Sequence, residues 1–131
     1  MPSSELYEDL RRIVQEEFAD VVSLAETSQL TSGVPRKLRL NIIDGSYADI
    51  FVSASGRYSY HWERQVHGAK SVYRHDNAPH GVWQQVATFP KHFHDGHEDN
   101  VVASYISSEP QQAIREFCRF IRTLLRGENR G

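Results

Sequence analysis

The sequence has few of the features that mark secreted, membrane-spanning or disulfide-stabilised proteins. Its only cysteine, Cys118, cannot form an internal disulfide, and its position on an apolar helical stripe indicates a small buried side chain rather than a nucleophile. No apolar run approaches the roughly 20 residues that cross a bilayer, and the N-terminus lacks the basic start and apolar stretch of a signal peptide. We therefore expect a cytoplasmic protein without membrane association.

The chain is also short of net charge and of low-complexity sequence. Its 131 residues carry a formal net charge of only −2, with 39% hydrophobic and 24% charged residues. This composition predicts an ordinary folded domain, and the length favours one domain over residues 1–131. An overall positive field that would attract nucleic acid is absent, so any RNA-binding site must be a local patch.

Hydrophobic periodicity predicts an α+β fold, a mostly antiparallel sheet flanked by N-terminal and C-terminal helices. Apolar residues at helical spacing predict a first helix over residues 3–26. From residue 36 the period changes to two, which predicts a sheet region over 36–106. The clearest helix is the last one, over 109–126, for which Ser108 and Gln111 form a candidate capping box.

Turn residues predict how the strands are connected. The Asp44-Gly45 pair indicates a hairpin, and a three-residue loop over 44–46 would pair Ile42 with Ala48 and keep both apolar sets on one face. The same register places Tyr58, Tyr60 and Trp62 in the core and His61 beside Asp49 on the opposite face. Further strands are predicted at 70–74, at 83–89 and at 101–106.

The last helix carries a second stripe, which is basic. Arginines spaced four, three and four residues apart share one side of it: Arg115, Arg119, Arg122 and Arg126. This pattern is explained either by a solvated face that pairs with the acidic first helix or by contact with phosphates or an acidic partner protein.

Histidine is concentrated in one part of the chain. All seven histidines lie between His61 and His97, and four of them fall in two polar segments, residues 73–80 and 89–94. Imidazole titrates nearest to neutral pH and is a common metal ligand, so this cluster is suited to moving protons or to holding a metal. We expect His61, His67, His75 and His97 to be structural or exposed, with His61 bonded to Asp49.

The same segments resemble a known protein family. The sequences YSYHW at 58–62, YRHDNAPH at 73–80, TFPKHFH at 88–94 and the stretch 107–122 resemble the TumE-like toxins of prokaryotic toxin–antitoxin modules, with DNAPH as the most specific part. The resemblance covers residues 36–125. It implies a growth-inhibiting toxin, an RNA-cleaving activity and a cognate antitoxin that carries a helix-turn-helix. The matched positions are Asp76, Asn77, His80, His92 and His94.

Metal-independent RNA cleavage requires a base, an acid and cations for the charge that develops on the phosphorus. We assign His80 and His94 as the acid/base pair, with His92 as a third member. The remaining assignments are Lys91 and Arg74 as phosphate stabilisers and Asp76 as the group that orients a histidine. Which histidine is the acid is left open, and no cofactor is expected.

Two alternatives stay open at this point. The spacing of His92, His94 and His97 also suits a weak metal site in a metal-dependent hydrolase or transferase. Alternatively, the protein is a toxin that inhibits its target by binding, for which the arginine stripe matters and the histidines do not. A homodimer is also left open.

Overall fold

The computed structural model describes residues 2–29 and 35–129 and shows an α+β fold, as predicted. Two helices accompany a seven-stranded antiparallel sheet whose strands follow in chain order, β1 to β7. The elements are α1 (Pro2–Glu17), β1 (Val22–Gln29), β2 (Pro35–Ile42), β3 (Tyr47–Val52), β4 (Tyr58–Val66), β5 (Ala69–Asp76), a short 3₁₀ helix (Gly81–Trp83), β6 (His92–Gly96), β7 (Val101–Ala103) and α2 (Pro110–Asn129).

The first helix is shorter than predicted. Instead of continuing to residue 26, α1 ends at Glu17, and the following residues form β1, which pairs with β2. The register shifts between Val22 and Leu24, which indicates a bulge that turns Val22 and Ala25 toward the same buried face. Apolar residues three apart were therefore mistaken for helical spacing, and the prediction of a helix over 3–26 is wrong for residues 18–26.

The β2–β3 hairpin has the predicted loop length but not the predicted position. The loop consists of residues 43–45, because the Ile42 amide donates to the Ser46 carbonyl at 2.9 Å. Gly45 occupies the left-handed region at φ 91°, which suits glycine. Leu40, rather than Ile42, pairs with Ala48. The observed pairing of β2 with β3 is thus shifted by two residues from the predicted one. An even shift keeps the apolar residues of both strands on the same face of the sheet, as predicted.

The predicted fifth strand at 83–89 is absent from the described part of the chain. Residues 81–83 form a 3₁₀ turn. Hydrogen bonds between backbone groups three residues apart continue through the segment, because the Val86 amide donates to the Trp83 carbonyl and the Phe89 amide donates to the Val86 carbonyl. Trp83, Val86 and Phe89 are therefore spaced three residues apart along a series of turns. The apolar pattern of the sequence did not distinguish this spacing from the alternation of a strand. The segment packs beside β6 instead of adding a strand, and β7 ends at residue 103 rather than 106.

Both helices contribute to the core, which covers one face of the sheet. Leu40, Ile50, Tyr60 and Trp62 point toward α1 and α2 and are fully buried. Cys118 is buried in this core as predicted, and burial raises the pKa of its thiol to about 12, which keeps it protonated. In the described part of the chain, neither α-helix covers the opposite face of the sheet, which presents polar residues of β3 to β6 and contacts Trp83 of the 3₁₀ helix.

The arginine stripe of α2 mostly pairs with acidic residues at the end of α1 and just after it. Arg115 binds Glu17 at 2.9 Å, and Arg122 binds Asp20 at 2.6 Å, with Arg126 a more distant partner of Asp20 at 3.4 Å. These contacts match one of the two explanations given for the stripe, a face that pairs with the acidic first helix. The three ion pairs do not include Arg119, which is exposed. The helix is capped by Glu109, whose carboxylate accepts from the amides of Gln111 and Gln112, and not by the predicted Ser108.

Candidate functional site

A row of polar side chains crosses the face of the sheet opposite α1 and α2. Strand register places Asp49 of β3 beside His61 of β4, His61 beside Arg74 of β5, and Arg74 beside His94 of β6. Side chains alternate between the two faces of a strand, so residues directly opposite each other on paired strands share a face. The core residues Tyr60 and Trp62 occupy the other face. The pleat thus brings chemically active groups from distant parts of the sequence into contact.

Pairing of β5 with β6 joins the two histidine segments. Arg74 lies opposite His94, and Asp76 lies opposite His92. The Asp76 Oδ1 atom is 3.1 Å from His92 Nε2, and the ring centroids of His92 and His94 are 5.0 Å apart. Because β6 begins at His92, these histidines lie on a strand. Their positions are set by the sheet.

Backbone carbonyls fix the orientation of both rings. His92 donates from Nδ1 to the Pro90 carbonyl at 2.9 Å, and His94 donates from Nδ1 to the Glu98 carbonyl at 2.8 Å. Each neutral ring then has its lone pair on Nε2, the nitrogen that faces Asp76 or Arg74. Both side chains are buried, with His92 0% and His94 3% exposed. Burial, reinforced by the nearby Arg74 charge, lowers the pKa of His94, so this ring is neutral at neutral pH.

Arg74 is the central cation of the site. Its guanidinium contacts Asp76 Oδ2 at 3.1 Å, Glu98 Oε1 at 2.8 Å, His94 Nε2 at 3.1 Å and His61 Nδ1 at 3.3 Å. Burial opposes ionisation of Glu98, but the hydrogen bond from Arg74 and the charge of Arg74 and the nearby histidines together outweigh it and lower the pKa of that carboxyl. Arg74 thus combines a fixed positive charge with direct contact to a candidate acid/base histidine.

These residues line a cleft of about 310 Å³. The Trp83 ring forms one wall, with its centroid 6.1 Å from that of His92 and 5.8 Å from that of His94. His80, just before the 3₁₀ turn, is exposed at the cleft. The lining residues are Arg74, Asp76, His80, Trp83, His92, His94, Glu98 and Asp99. An aromatic wall beside a cation and imidazoles is suited to binding a base and its phosphate.

The structure brings most, but not all, of the sequence-predicted site residues together. Lys91 lies outside the cleft, because its Nζ donates to the Ile106 carbonyl at 2.5 Å. Asn77 supports a turn, since its side chain accepts from the Tyr58 amide and donates to the Gly56 carbonyl. Asp76 also accepts from the Ala78 amide, so its carboxylate both supports a turn and contacts His92.

Sequence reasoning missed Trp83 and Glu98 as members of the cleft and gave His61 a different partner. Trp83 was predicted to lie in a strand, and Glu98 was not among the predicted catalytic residues. His61 was expected to bind Asp49. That register is confirmed, but the ring contacts Glu63 at 3.2 Å and Arg74, whereas Asp49 binds Lys37 and Arg39. The β5–β6 pairing that would have revealed these contacts has no turn signal of its own, because residues 77–91 separate the two strands.

The predicted metal triplet is not assembled as expected. His97 lies in the β6–β7 turn with its side chain 68% exposed, and its Nδ1 accepts from the Asp99 amide at 3.2 Å. Asp76 takes its place beside His92 and His94, and the potential ligand atoms of these three residues all lie within 4.8 Å of one another. Any metal ligand set at this site therefore contains Asp76 rather than His97.

His75 lies on the other face of β5, and its burial leads us to expect that the stability of the fold decreases in acid. Its ring stacks on Phe93 at 4.1 Å and bonds Ser104 at 2.7 Å, and burial lowers its pKa from 6.5 to about 4. The unfolded chain therefore binds more protons between these values, so we expect the free energy of unfolding to decrease as pH falls from 6.5 toward 4. The contribution of His75 is on the order of 3 kcal/mol.

Urea unfolding at several pH values tests this expectation. His75→Gln should show a smaller decrease in unfolding free energy between pH 7 and 4 than the wild type, whatever its absolute stability. His97→Gln, which changes an exposed histidine, should retain the wild-type slope. Equal slopes for His75→Gln and wild type would show that His75 is not the source of the sensitivity.

Comparisons with known proteins give one match. The sequence model of a family described as toxin TumE matches residues 7–125. Comparisons with curated proteins and with solved structures returned no match. Neither helix in the described ranges has the length and hydropathy needed to span a bilayer.

Proposed function

This chain belongs to the TumE family of toxins, and we propose that it inhibits growth by cleaving RNA without a metal ion, under the control of a helix-turn-helix antitoxin. Membership confirms the family expected from residues 36–125 and implies a cognate antitoxin. One observation carries the proposed reaction. Two buried imidazoles line one cleft, His94 with its Nε2 beside the Arg74 guanidinium and His92 with its Nε2 beside the Asp76 carboxylate.

His94 is the general base in this proposal. The neutral ring offers a lone pair at Nε2, and a base must be unprotonated before it takes the 2′-hydroxyl proton. Arg74 donates to that nitrogen in the free protein at 3.1 Å. A bound phosphate diester would attract the guanidinium, and its departure from His94 would free Nε2 for the substrate. Phosphate binding and activation of the base are thereby coupled.

His92 is the general acid. In its doubly protonated form the ring carries a proton on Nε2, where the carboxylate of Asp76 lies 3.1 Å away and offsets the positive charge. The 2′ oxygen attacks phosphorus as His94 takes its proton, and the bond from phosphorus to the 5′ oxygen breaks as His92 supplies a proton to that oxygen. The products are a 2′,3′-cyclic phosphate and a free 5′-hydroxyl.

Other residues bind the substrate. Arg74 offsets the charge that builds on the phosphoryl oxygens, and Trp83 provides a surface on which a base stacks. His80 remains a third candidate for proton transfer because it is exposed at the cleft. Lys91 has no part in this proposal, since its ammonium group is bonded away from the cleft.

Purified protein and a short RNA test the proposal directly. We expect cleavage in the presence of EDTA, and none when the nucleotide before the scissile phosphate lacks its 2′-hydroxyl. Lys91→Ala and His97→Gln are matched controls, because both alter basic residues of the same segment outside the cleft, and both should cleave at the wild-type rate. Growth arrest by the wild-type chain with intact cellular RNA would instead support the competing hypothesis, inhibition by binding.

A further inference from the structure

We propose that Asp76, His92 and His94 form a binding site for a divalent transition metal of the Zn²⁺ class, and that a bound ion inhibits RNA cleavage. The ion would occupy the Nε2 atoms to which we assign the proton transfers. Binding of the metal is independent of the proposed function, whereas inhibition rests on it. The two parts are therefore tested separately.

The orientation of the two histidines matches that of metal ligands. A metal-bound imidazole usually donates its other ring N–H to a backbone carbonyl or carboxylate, which fixes the tautomer and aims the ligand nitrogen. His92 and His94 both show this arrangement, with Nδ1 bonded to the carbonyls of Pro90 and Glu98. Each ring therefore presents Nε2 without any change of tautomer.

An unsatisfied buried nitrogen provides independent support. His92 is fully buried, and among the described residues its Nε2 has no hydrogen-bond partner of acceptable geometry, even though Asp76 Oδ1 is only 3.1 Å away. Buried polar atoms are nearly always paired, and an unpaired one calls for an explanation. A metal ion bound to this nitrogen and to the Asp76 carboxylate would give the nitrogen its missing partner.

The distances are compatible with coordination after a small contraction. Bonds of about 2.0–2.1 Å to zinc place neighbouring ligand atoms roughly 3.3 Å apart in a tetrahedral site. Asp76 and His92 already meet this separation, and all three ligand atoms lie within 4.8 Å. His94 becomes a ligand when its Nε2 binds the ion in place of the hydrogen bond from Arg74. Three protein ligands leave a position for water or for Glu98, which contacts the site through Arg74.

The charge of the site limits affinity without excluding the ion. Asp76 and Glu98 supply two carboxylates, and Arg74 supplies an opposing positive charge. A divalent ion would compete with Arg74 for His94 and Asp76. We therefore expect Arg74→Gln, which removes this competitor, to bind Zn²⁺ more tightly than the wild type.

Calorimetric titration of the full chain with Zn²⁺ tests binding without reference to activity. We expect one ion per chain, with affinity more than about tenfold lower in Asp76→Asn, His92→Gln and His94→Gln. His97→Gln should bind as the wild type does, which separates this site from one that includes the exposed histidine. Circular dichroism establishes which variants fold, and Arg74→Gln adds a gain in affinity that misfolding would not produce.

Absence of binding by the wild type, or equal binding by all three ligand variants, would overturn the metal site. In the RNA assay, Zn²⁺ should suppress cleavage and EDTA should restore it. If Zn²⁺ binds as expected but no RNA is cleaved under any condition, the proposed function fails while the metal site stands. Loss of cleavage on adding EDTA would overturn both metal-independent catalysis and inhibition by the ion.

Discussion

His94→Gln should lower the rate of RNA cleavage by roughly 10²–10⁴-fold, the usual contribution of a general acid or base. Glutamine is close to histidine in size and retains a side-chain donor for the Glu98 carbonyl, so it preserves packing better than alanine in a side chain that is 3% exposed. It cannot take up the 2′-hydroxyl proton. His92→Gln should show a loss of similar size, because acid and base act in the same step.

Single-turnover cleavage of a defined RNA measures this effect, and thermal unfolding shows that each variant is folded. The control is His97→Gln, which removes an imidazole from the same part of the chain but outside the cleft. Expression in a bacterium provides a second readout, since the folded His94→Gln and His92→Gln chains should no longer arrest growth. Arrest by both variants at wild-type potency would contradict the assignment of these histidines to catalysis.

Trp62→Ala should destabilise the protein by about 3–5 kcal/mol, the cost typical of removing a large aromatic side chain from a core. Trp62 is 0% exposed and packs on Tyr73 with ring centroids 5.3 Å apart. Its indole N–H donates to Ser46 Oγ at 2.8 Å, and Arg64 lies over its ring at 4.8 Å. Alanine would leave a cavity between the sheet and α2 and would remove the donor for Ser46.

Urea unfolding followed by circular dichroism measures the loss. Tyr105→Ala is the matched control, because this aromatic side chain is 79% exposed and its removal should change the unfolding free energy by less than about 0.5 kcal/mol. The comparison also tests the predicted core position of Trp62 against a role in stacking on RNA, when RNA binding by Trp62→Ala is measured alongside its stability. A small change in stability combined with lost RNA binding would contradict the core assignment.

The sequence correctly predicted those helices and strands whose apolar pattern depends only on neighbouring residues. The apolar stripe of α2 and the alternation in β2 to β4 are confirmed because each reports burial of one face of a regular element. The prediction failed where a local irregularity changed the period. The bulge after Val22 gives the apolar residues of β1 a spacing that resembles that of a helix. The turns around Trp83 and Val86 give a spacing of three residues in a segment that was predicted to be a strand.

The sequence by itself determined the α+β class, the burial of Cys118 and the histidine-rich segments that carry the family resemblance. Only the tertiary structure decided which of those residues meet, because contacts across β5 and β6 depend on strand register over an intervening segment without regular alternation. That register places Arg74 and Asp76 against His94 and His92. It also leaves Lys91 outside the cleft, since hydrogen bonding to the Ile106 carbonyl fixes its ammonium group elsewhere.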